Sequence, residues 1–492
     1  MSRACIGPIV DTEHSPRMLT RTSTQSLTEQ LAGRFAERIR TRLLAPGARL
    51  PSVRECARQQ GVSPHTVVAA YDQLLAQGLV EARRQRGFFV RDVIAARAGP
   101  APSTLKPLAE PPVAQPVPAD ASTLIRGMFH RPSDKPQPGM GVFPSEWLES
   151  PFTAAAVRRM TSTRALQDAS LQYGEPAGDG GLRRSLATKL ASINVPAGPE
   201  QIVTTVGATH ALDIVSRTLL RPGDPVMVEE PGWALEFARL EALGMRILPV
   251  PRKADGPDLE VMERYCNAGD GHKPKLFVSV SVLHNPTGYS LTPGSAHRVL
   301  KLANEHDFHI VEDDTYSHLA PEHATRLSAL DGLQRTIYVS GFAKILAPNW
   351  RIGFLAAPPA LKERLLETKL LATLTSPTLF ERALSWCIDQ GQLRRHSERV
   401  RIRLDGARGR AVKLAMSHGC TFASEPAGLF GWVDTGVDTD ALTQRMLDQG
   451  YLLAPGSLFH ARRPPSTMMR INFATSQDAA FWNVFSKVRS EL

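Results

Sequence analysis

A chain of 492 residues is too long for one ordinary hydrophobic core, so two or three domains are expected. No run of 18 apolar residues occurs and the opening MSRACIGPIVDTEHSP has no apolar core, which argues against a membrane span and a signal peptide; five scattered cysteines without a CxxC pair argue against a disulfide framework or a bound metal and fit a reducing cytoplasm. The formal net charge is +10, and residues 1 to 95 carry +6 of it, with 14 Arg, no Lys and 8 acids, which points to a basic N-terminal module facing a polyanion.

Residues 1–24 match no interpretable motif and are assigned to an N-terminal extension. From there Leu27, Leu31, Phe35, Ile39 and Leu43 recur every four residues and predict an amphipathic helix ending at APG. Ser52 and Glu55 have the spacing of a capping box before a short helix reaching about Gln60. GVSPHTVVAAYDQLLAQG then supplies Ser63 as N-cap, Pro64 at the first helical position, an apolar face from Val67, Tyr71, Leu74 and Leu75, and Gly78 as terminator. Two short helices joined this way form the helix-turn-helix pattern, and LVEARRQRGFFV, alternating around Arg83, Arg84, Arg86 and Gly87, predicts a hairpin wing.

The run PGARLPSVRECARQQGVSPHTVVAAYDQLLAQGLV resembles the winged helix-turn-helix of the GntR regulators. That resemblance implies an α+β DNA-binding domain over 25–92, with Arg54, Ser63, His65 and Thr66 near phosphates or base edges and Arg83, Arg84 and Arg86 of the wing reaching an adjacent groove. Beyond it, AARAGPAPSTLKPLAEPPVAQPVPAD is rich in Pro and Ala, so 93–125 is expected to be a semi-rigid linker.

From 126 to 492, apolar runs alternate with helical stretches: QIVTTVG, DPVMVEE, KLFVSVSV, FHIVEDD, TIYVSGF and RIGFLAAP. Such alternation predicts an α/β sheet covered on both faces, with functional groups on loops at strand ends. Five loops carry chemistry. VGATHALDIV turns a strand into a helix through Gly207, Ala208 and Thr209, where free N–H groups could hold a phosphate. EEPGWALEF offers Trp233 as a stacking face, and LHNPTGYSL places Asn285 before a proline at a strand end. HIVEDDTYSHL ends a buried strand in Glu312, Asp313 and Asp314, followed by Tyr316. SGFAKILAPNWRIGF sets Lys344 and Arg351 between apolar runs with no acid to pair them, which calls for an anionic or electrophilic group from outside the chain.

In order and spacing these loops resemble the fold-type I pyridoxal-phosphate enzymes over most of 165–475. The resemblance implies a large mixed-sheet domain with a smaller α+β domain and pyridoxal 5'-phosphate as cofactor. It places an aldimine on Lys344, the phosphate on Arg351, Gly207, Ala208 and Thr209, Asp313 on the ring nitrogen, Tyr316 and Asn285 on the ring oxygen, and Trp233 on the ring face. Within QYGEPAGDGGLRRSLA, Tyr173 would reach the phosphate of a neighbouring subunit, and Arg470 in MMRINFA would take a substrate carboxylate.

A GntR-type winged helix, a linker and an aminotransferase-like domain in one chain is the architecture of the MocR family of bacterial transcriptional regulators. Membership implies a cytoplasmic, often head-to-tail homodimer that binds double-stranded operator DNA, associates with the nucleoid when bound, and senses pyridoxal phosphate, an amino acid or other amine, or both. The alternative is a working aminotransferase with an accessory DNA-binding domain.

Overall fold

The first helix forms where apolar side chains return once per turn. In the computed structural model α1 spans Leu27–Arg40 and buries Leu31, Phe35 and Ile39. It is followed by α2 (Val53–Gln60) and α3 (Pro64–Ala76), then strands β1 (Val80–Arg83) and β2 (Gly87–Val90). The structure describes residues 25–40, 44, 46–83, 86–91, 133–269 and 272–492. The N-terminal extension, the linker, Leu43 and Arg84 therefore lie outside the described residues.

Local chemistry sets the helix boundaries. Ser52 Oγ accepts the Glu55 N–H, while the Glu55 carboxylate accepts Gln59, so the capping box is seen through its serine limb. Ser63 Oγ accepts the Thr66 N–H at 3.1 Å ahead of Pro64, and Gly61 ends α2 with φ 65°. α1 and α3 enclose a core of Leu31, Phe35, Tyr71 and Leu74, closed by Val80 and Val90 of the antiparallel wing. Tyr71 reaches this core with its ring and donates its hydroxyl to the Pro51 carbonyl at 2.9 Å.

The described residues divide into two compact units, one joining Gln444–Leu452 to the residues up to Gln137, the other comprising Pro138–Thr443 and Leu453–Leu492. The second is built on a seven-stranded mixed sheet: β3 (Ile202–Thr205), β4 (Pro225–Glu230), β5 (Arg246–Pro251), β6 (Leu276–Ser279), β7 (His309–Asp313), β8 (Thr336–Gly341) and β9 (Gly353–Ala356). Their order is β3-β9-β8-β7-β6-β4-β5, and β9 runs antiparallel to both neighbours. All six expected runs are strands of this sheet.

The strands read as continuous apolar runs because both faces are covered. Val226, Leu276, Val311 and Ile337 pack on one side with Ile214 and Val215 of α4 (Ala208–Leu219). Their alternates Met227, Phe277 and Ile310 pack on the other with Met262, Val299 and Leu302. Each such fully buried side chain contributes roughly 1.5–3 kcal/mol. Pro249 and Pro251 kept β5 from reading as a strand; it forms at the sheet edge, where missing N–H donors are tolerated. A smaller antiparallel sheet holds β10 (Thr421–Phe422), β11 (Phe430–Asp434), β12 (Ala454–Pro455) and β13 (Met468–Asn472).

β4, β6, β7 and β8 are mutually parallel, and β3 runs with them because it opposes β9. Their C-terminal ends, carrying all five loops singled out above, emerge on one edge of the sheet.

Candidate functional site

At the end of β3 the chain turns through Gly207, φ 85°, into α4, whose N-terminus has no side-chain cap. The first N–H groups of Ala208 and Thr209 are thus left for an anion, with the helix dipole behind them. Arg351 lies over this turn: it donates to the Val206 carbonyl at 3.2 Å, and a Cβ built on Gly207 would stand 2.6 Å from its Nη2. Arg351 holds φ 52°, a left-handed conformation that non-glycine residues seldom adopt, and is exposed.

Gly353 on β9 completes the cradle from below. A Cβ there would overlap the Gly207 carbonyl carbon and stand 2.6 Å from Ala208 N, backbone against backbone. Gly353→Ala is therefore expected to push the α4 N-terminus outward, costing about 1–3 kcal/mol of stability and weakening phosphate-ligand binding. A thermal midpoint and a pyridoxal phosphate titration would register both effects.

β7 sorts its three terminal acids by alternation. Glu312 and Asp314 turn inward to structural partners: Glu312 accepts the backbone N–H groups of Leu327 and Ser328, and Asp314 meets Arg326 at 2.6 Å and the Tyr338 hydroxyl at 2.9 Å. Asp313 alone faces the site, its Oδ1 accepting both Thr315 N and Thr315 Oγ1. Burial, with Glu236 nearby, pushes its carboxyl up to about 6. It lines a cleft of about 360 Å³ with Trp233, Glu229, Glu236 and His284. Burial, and then Arg252, hold His284 well below its ordinary value and hence neutral.

Lys344 follows β8 and donates to the Gly141 carbonyl at 2.8 Å. Burial, then Arg470 and Arg351, lower its amine from 10.5 to about 8, with Asp313 pulling the other way. Only a neutral amine attacks a carbonyl carbon. Capture of added pyridoxal phosphate, followed by absorbance, is thus expected to accelerate as pH rises through about 8, where an ordinary lysine would titrate near 10.5. The same shift lowers stability: the unfolded chain holds this proton up to 10.5, so the penalty is complete below about 8 and fades as pH rises between the two values.

Arg470 on β13 is only 1 % exposed. Its Nη1 donates to Asn285 Oδ1 at 3.1 Å and its Nη2 to the Gly139 carbonyl at 2.6 Å, while Nε has no partner. Phe430, Phe459 and Trp233 present ring faces 4.4, 5.1 and 5.3 Å from its guanidinium carbon. Burial lowers it to about 10, so it remains charged at neutral pH. Tyr316 stands edge-on to Phe430 at 5.6 Å, and its hydroxyl is raised, mainly by burial.

The two cations converge. A methyl group built on Gly141 would lie 3.7 Å from Arg470 Nη2 and 3.8 Å from Lys344 Nζ. Gly139, Gly141, Phe430 and Phe459 are the members that sequence reasoning missed; the two glycines act through backbone carbonyls and the two rings sit in segments without a motif. Tyr173, by contrast, is 83 % exposed; Leu171 and Leu371 are likewise exposed.

In the winged helix, Arg54, Ser63 and His65 are exposed and Thr66 is half-buried at the start of α3. Arg86 is exposed at the wing turn. Arg83 is engaged within the wing, pairing with Glu81 at 2.8 Å and lying 4.6 Å over the Phe89 ring.

Residues 140–486 match the class I and II aminotransferases, and residues 27–90 match the bacterial regulatory proteins of the gntR family. A probable rhizopine catabolism regulatory protein, MocR, of Rhizobium meliloti is 30% identical over 378 residues, 74% of this chain and 73% of that one. The chain belongs to the MocR-type regulators. Such a regulator joins a GntR helix-turn-helix to an aminotransferase-like domain, and the HTH-type transcriptional regulator YdcR of Escherichia coli is similar along nearly the whole length, 28% identical over 91% of this chain and 94% of its own. Among solved structures, a kynurenine aminotransferase of Pyrococcus horikoshii in complex with PMP aligns with a TM-score of 0.68 and 26% identity, over 75% of this chain and 94% of that one. The fold of this MocR-type regulator is thus fold-type I, which implies pyridoxal phosphate as cofactor.

Proposed function

We propose that the large unit holds pyridoxal phosphate on Lys344, admits an amino compound between Lys344 and Arg470, and through that occupancy alters how the winged helix engages double-stranded operator DNA. The observation that carries this reading is the convergence of Lys344 Nζ and Arg470 Nη2 on the space beside Gly141. The amine and carboxylate of an α-amino acid are separated by a single carbon, so one such molecule can set its carboxylate on Arg470 while its amine reaches the position of Lys344 Nζ.

The residues fit the cofactor. The uncapped α4 N-terminus at Gly207, Ala208 and Thr209, with Arg351 over it, suits a phosphate; Trp233 suits a ring face; Asp313, with one oxygen uncommitted to Thr315, suits a ring nitrogen. Asn285 and Tyr316 suit the ring oxygen. When bound, pyridoxal phosphate supplies an electrophilic carbon and an electron-withdrawing ring. Lys344 provides an amine whose neutral form is far more accessible near neutral pH than that of an ordinary lysine, and Arg470 anchors the carboxylate, its unpartnered Nε being a donor still to be satisfied. Exposed Tyr173, Leu171 and Leu371 support a homodimer in which Tyr173 serves the partner's phosphate site. A bacterial cytoplasmic location, at the nucleoid when DNA is bound, goes with this function.

A working aminotransferase is the second reading, favoured by the presence of the whole set of Lys344, Asp313, Arg351 and Arg470. Amino-acid pools added to purified protein separate the two. A regulator responds with a changed absorbance and a changed affinity for duplex DNA; sustained keto-acid release with no effect on DNA would establish the enzyme instead. In the same assay Arg54→Ala with Thr66→Ala is expected to weaken DNA binding by about 1–3 kcal/mol for each of the two side chains truncated. Unchanged binding would remove α2 and α3 from the interface.

A further inference from the structure

The longest helix among the described residues is α5 (Gln392–Ser417), 26 residues carrying seven Arg and one Lys against Glu398 and Asp405. Its net +6 exceeds all that the chain holds beyond residue 95, which is the total of +10 less the +6 of the first 95 residues. One face is committed to packing through Leu393, Val400, Leu404, Ala407 and Ala411. On the opposite face, three or four residues apart, Arg395, Arg399, Ile402, Gly406, Arg410 and Lys413 form an exposed line. From Arg395 to Lys413 it extends about 27 Å at 1.5 Å per residue.

The two acids do not neutralise this line. Glu398 pairs with Arg401 at 3.1 Å and Asp405 with Arg408 at 2.7 Å, each on its own turn. The cations of the line meet neutral groups: Arg395 donates to the Gln390 carbonyl at 2.9 Å, Arg399 faces His396 Nδ1 at 3.2 Å, and Arg410 holds Gln477 Oε1 at 2.6 and 3.0 Å. Among the described residues none of these four cations has a carboxylate within ion-pair distance. The three arginine side chains are oriented, and all four charges are left uncompensated. Like charges at i and i+4 disfavour a helix, a cost that an anionic partner relieves.

A second observation lies in the middle of the line. Gly406 and Gly409 are exposed helix-interior glycines, and a Cβ on Gly409 would meet nothing within 4 Å. Glycine is unfavourable in a helix interior, and no neighbour in the chain needs the space; bare backbone there suits close approach by a partner.

We propose that this face of α5 is a second contact for double-stranded DNA, a sequence-independent phosphate-binding surface on the large unit. It rests on the reading of the winged helix as the duplex-binding unit, which makes DNA the polyanion this chain already engages. Arg and Lys without accompanying base-reading groups position a duplex and do not specify its sequence.

The test is the salt dependence of binding by the full-length protein to a random-sequence duplex of about 60 base pairs, from about 50 to 200 mM salt. Replacing Arg395, Arg399 and Lys413 together by Gln is expected to lower the log–log slope by about 2–3, near 0.9 per phosphate contact, and to weaken binding about tenfold or more. Arg395→Lys with Arg399→Lys should retain the wild-type slope. Because all three positions are exposed and their like charges disfavour the helix, the thermal midpoint should not fall, and lysine-bound cofactor absorbance should persist. A triple variant with wild-type slope and affinity overturns the proposal while leaving the winged-helix reading intact; a wild-type protein that ignores the duplex overturns both. Loss of binding to phosphatidylglycerol vesicles with DNA binding kept would assign the face to a membrane surface. A changed sedimentation coefficient with DNA binding kept would assign it to a second copy of the chain. Either result overturns the proposal.

Discussion

Lys344→Ala is expected to abolish the visible absorbance of lysine-bound pyridoxal phosphate and the response of the protein to amines, while leaving basal DNA affinity within about twofold. The site contains one amine placed for this role: half-buried, tied only to the Gly141 carbonyl, and lowered to about 8 by burial and two neighbouring guanidinium groups. Alanine removes the nucleophile and also relieves a buried positive charge. The variant should therefore be at least as stable as the parent without cofactor, most clearly below pH 8, where the lysine is charged in both folded and unfolded chains. The phosphate cradle at Gly207, Ala208 and Arg351 remains, so cofactor should still bind weakly and noncovalently. Borohydride, which fixes a lysine-bound aldehyde to the chain, should then leave none attached. Covalent retention in the variant would assign the role to another amine. Lys369 is the one to inspect, since burial also lowers it to about 8, with its amine on the Pro176 carbonyl.

How much of this was legible beforehand depended on where the information lies. Six strands of the large sheet could be read because a strand covered on both faces needs apolar residues in succession, and Val226 to Val228 or Ile310 to Val311 provide them. β5 escaped because Pro249 and Pro251 break the pattern of a central strand, and only the topology reveals that it is an edge. The strands of the smaller sheet are two to five residues long and lack a comparable run. In the winged helix, Ser52, Ser63, Pro64 and Gly78 mark the boundaries because their chemistry is local.

The site follows the same division. Lys344, Arg351, Asp313 and Trp233 stood out because charged or aromatic residues at strand ends are legible one loop at a time. The alternation that sends Glu312 and Asp314 to Leu327, Ser328 and Arg326, leaving Asp313 alone at the site, needed the partners 12 to 16 residues away. Gly141 and Gly139 contribute backbone carbonyls, which carry no mark in the sequence, 203 and 331 positions from the side chains they meet.

Arg470→Lys is expected to separate recognition of the carboxylate from capture of the amine. Arginine holds a planar fork here through Asn285 and the Gly139 carbonyl, framed by three aromatic faces. An ammonium group keeps the charge but cannot satisfy both anchors and present two parallel donors to a carboxylate. A hydrogen bond to a charged group contributes about 1.5–3 kcal/mol, so losing one of the parallel pair should raise the dissociation constant of an α-amino acid roughly tenfold or more. A simple alkylamine, which never engages this fork, should bind within about threefold of its affinity for the parent. Lysine-bound cofactor absorbance should persist in the variant, because Lys344 and the phosphate cradle draw on other elements. The two classes of amine thus report on different ends of one space, and absorbance titrations with each read them separately. Equal losses for alkylamine and amino acid would mean that Arg470 maintains the shape of the site, through Asn285 and the strap at Gly139, without meeting the ligand.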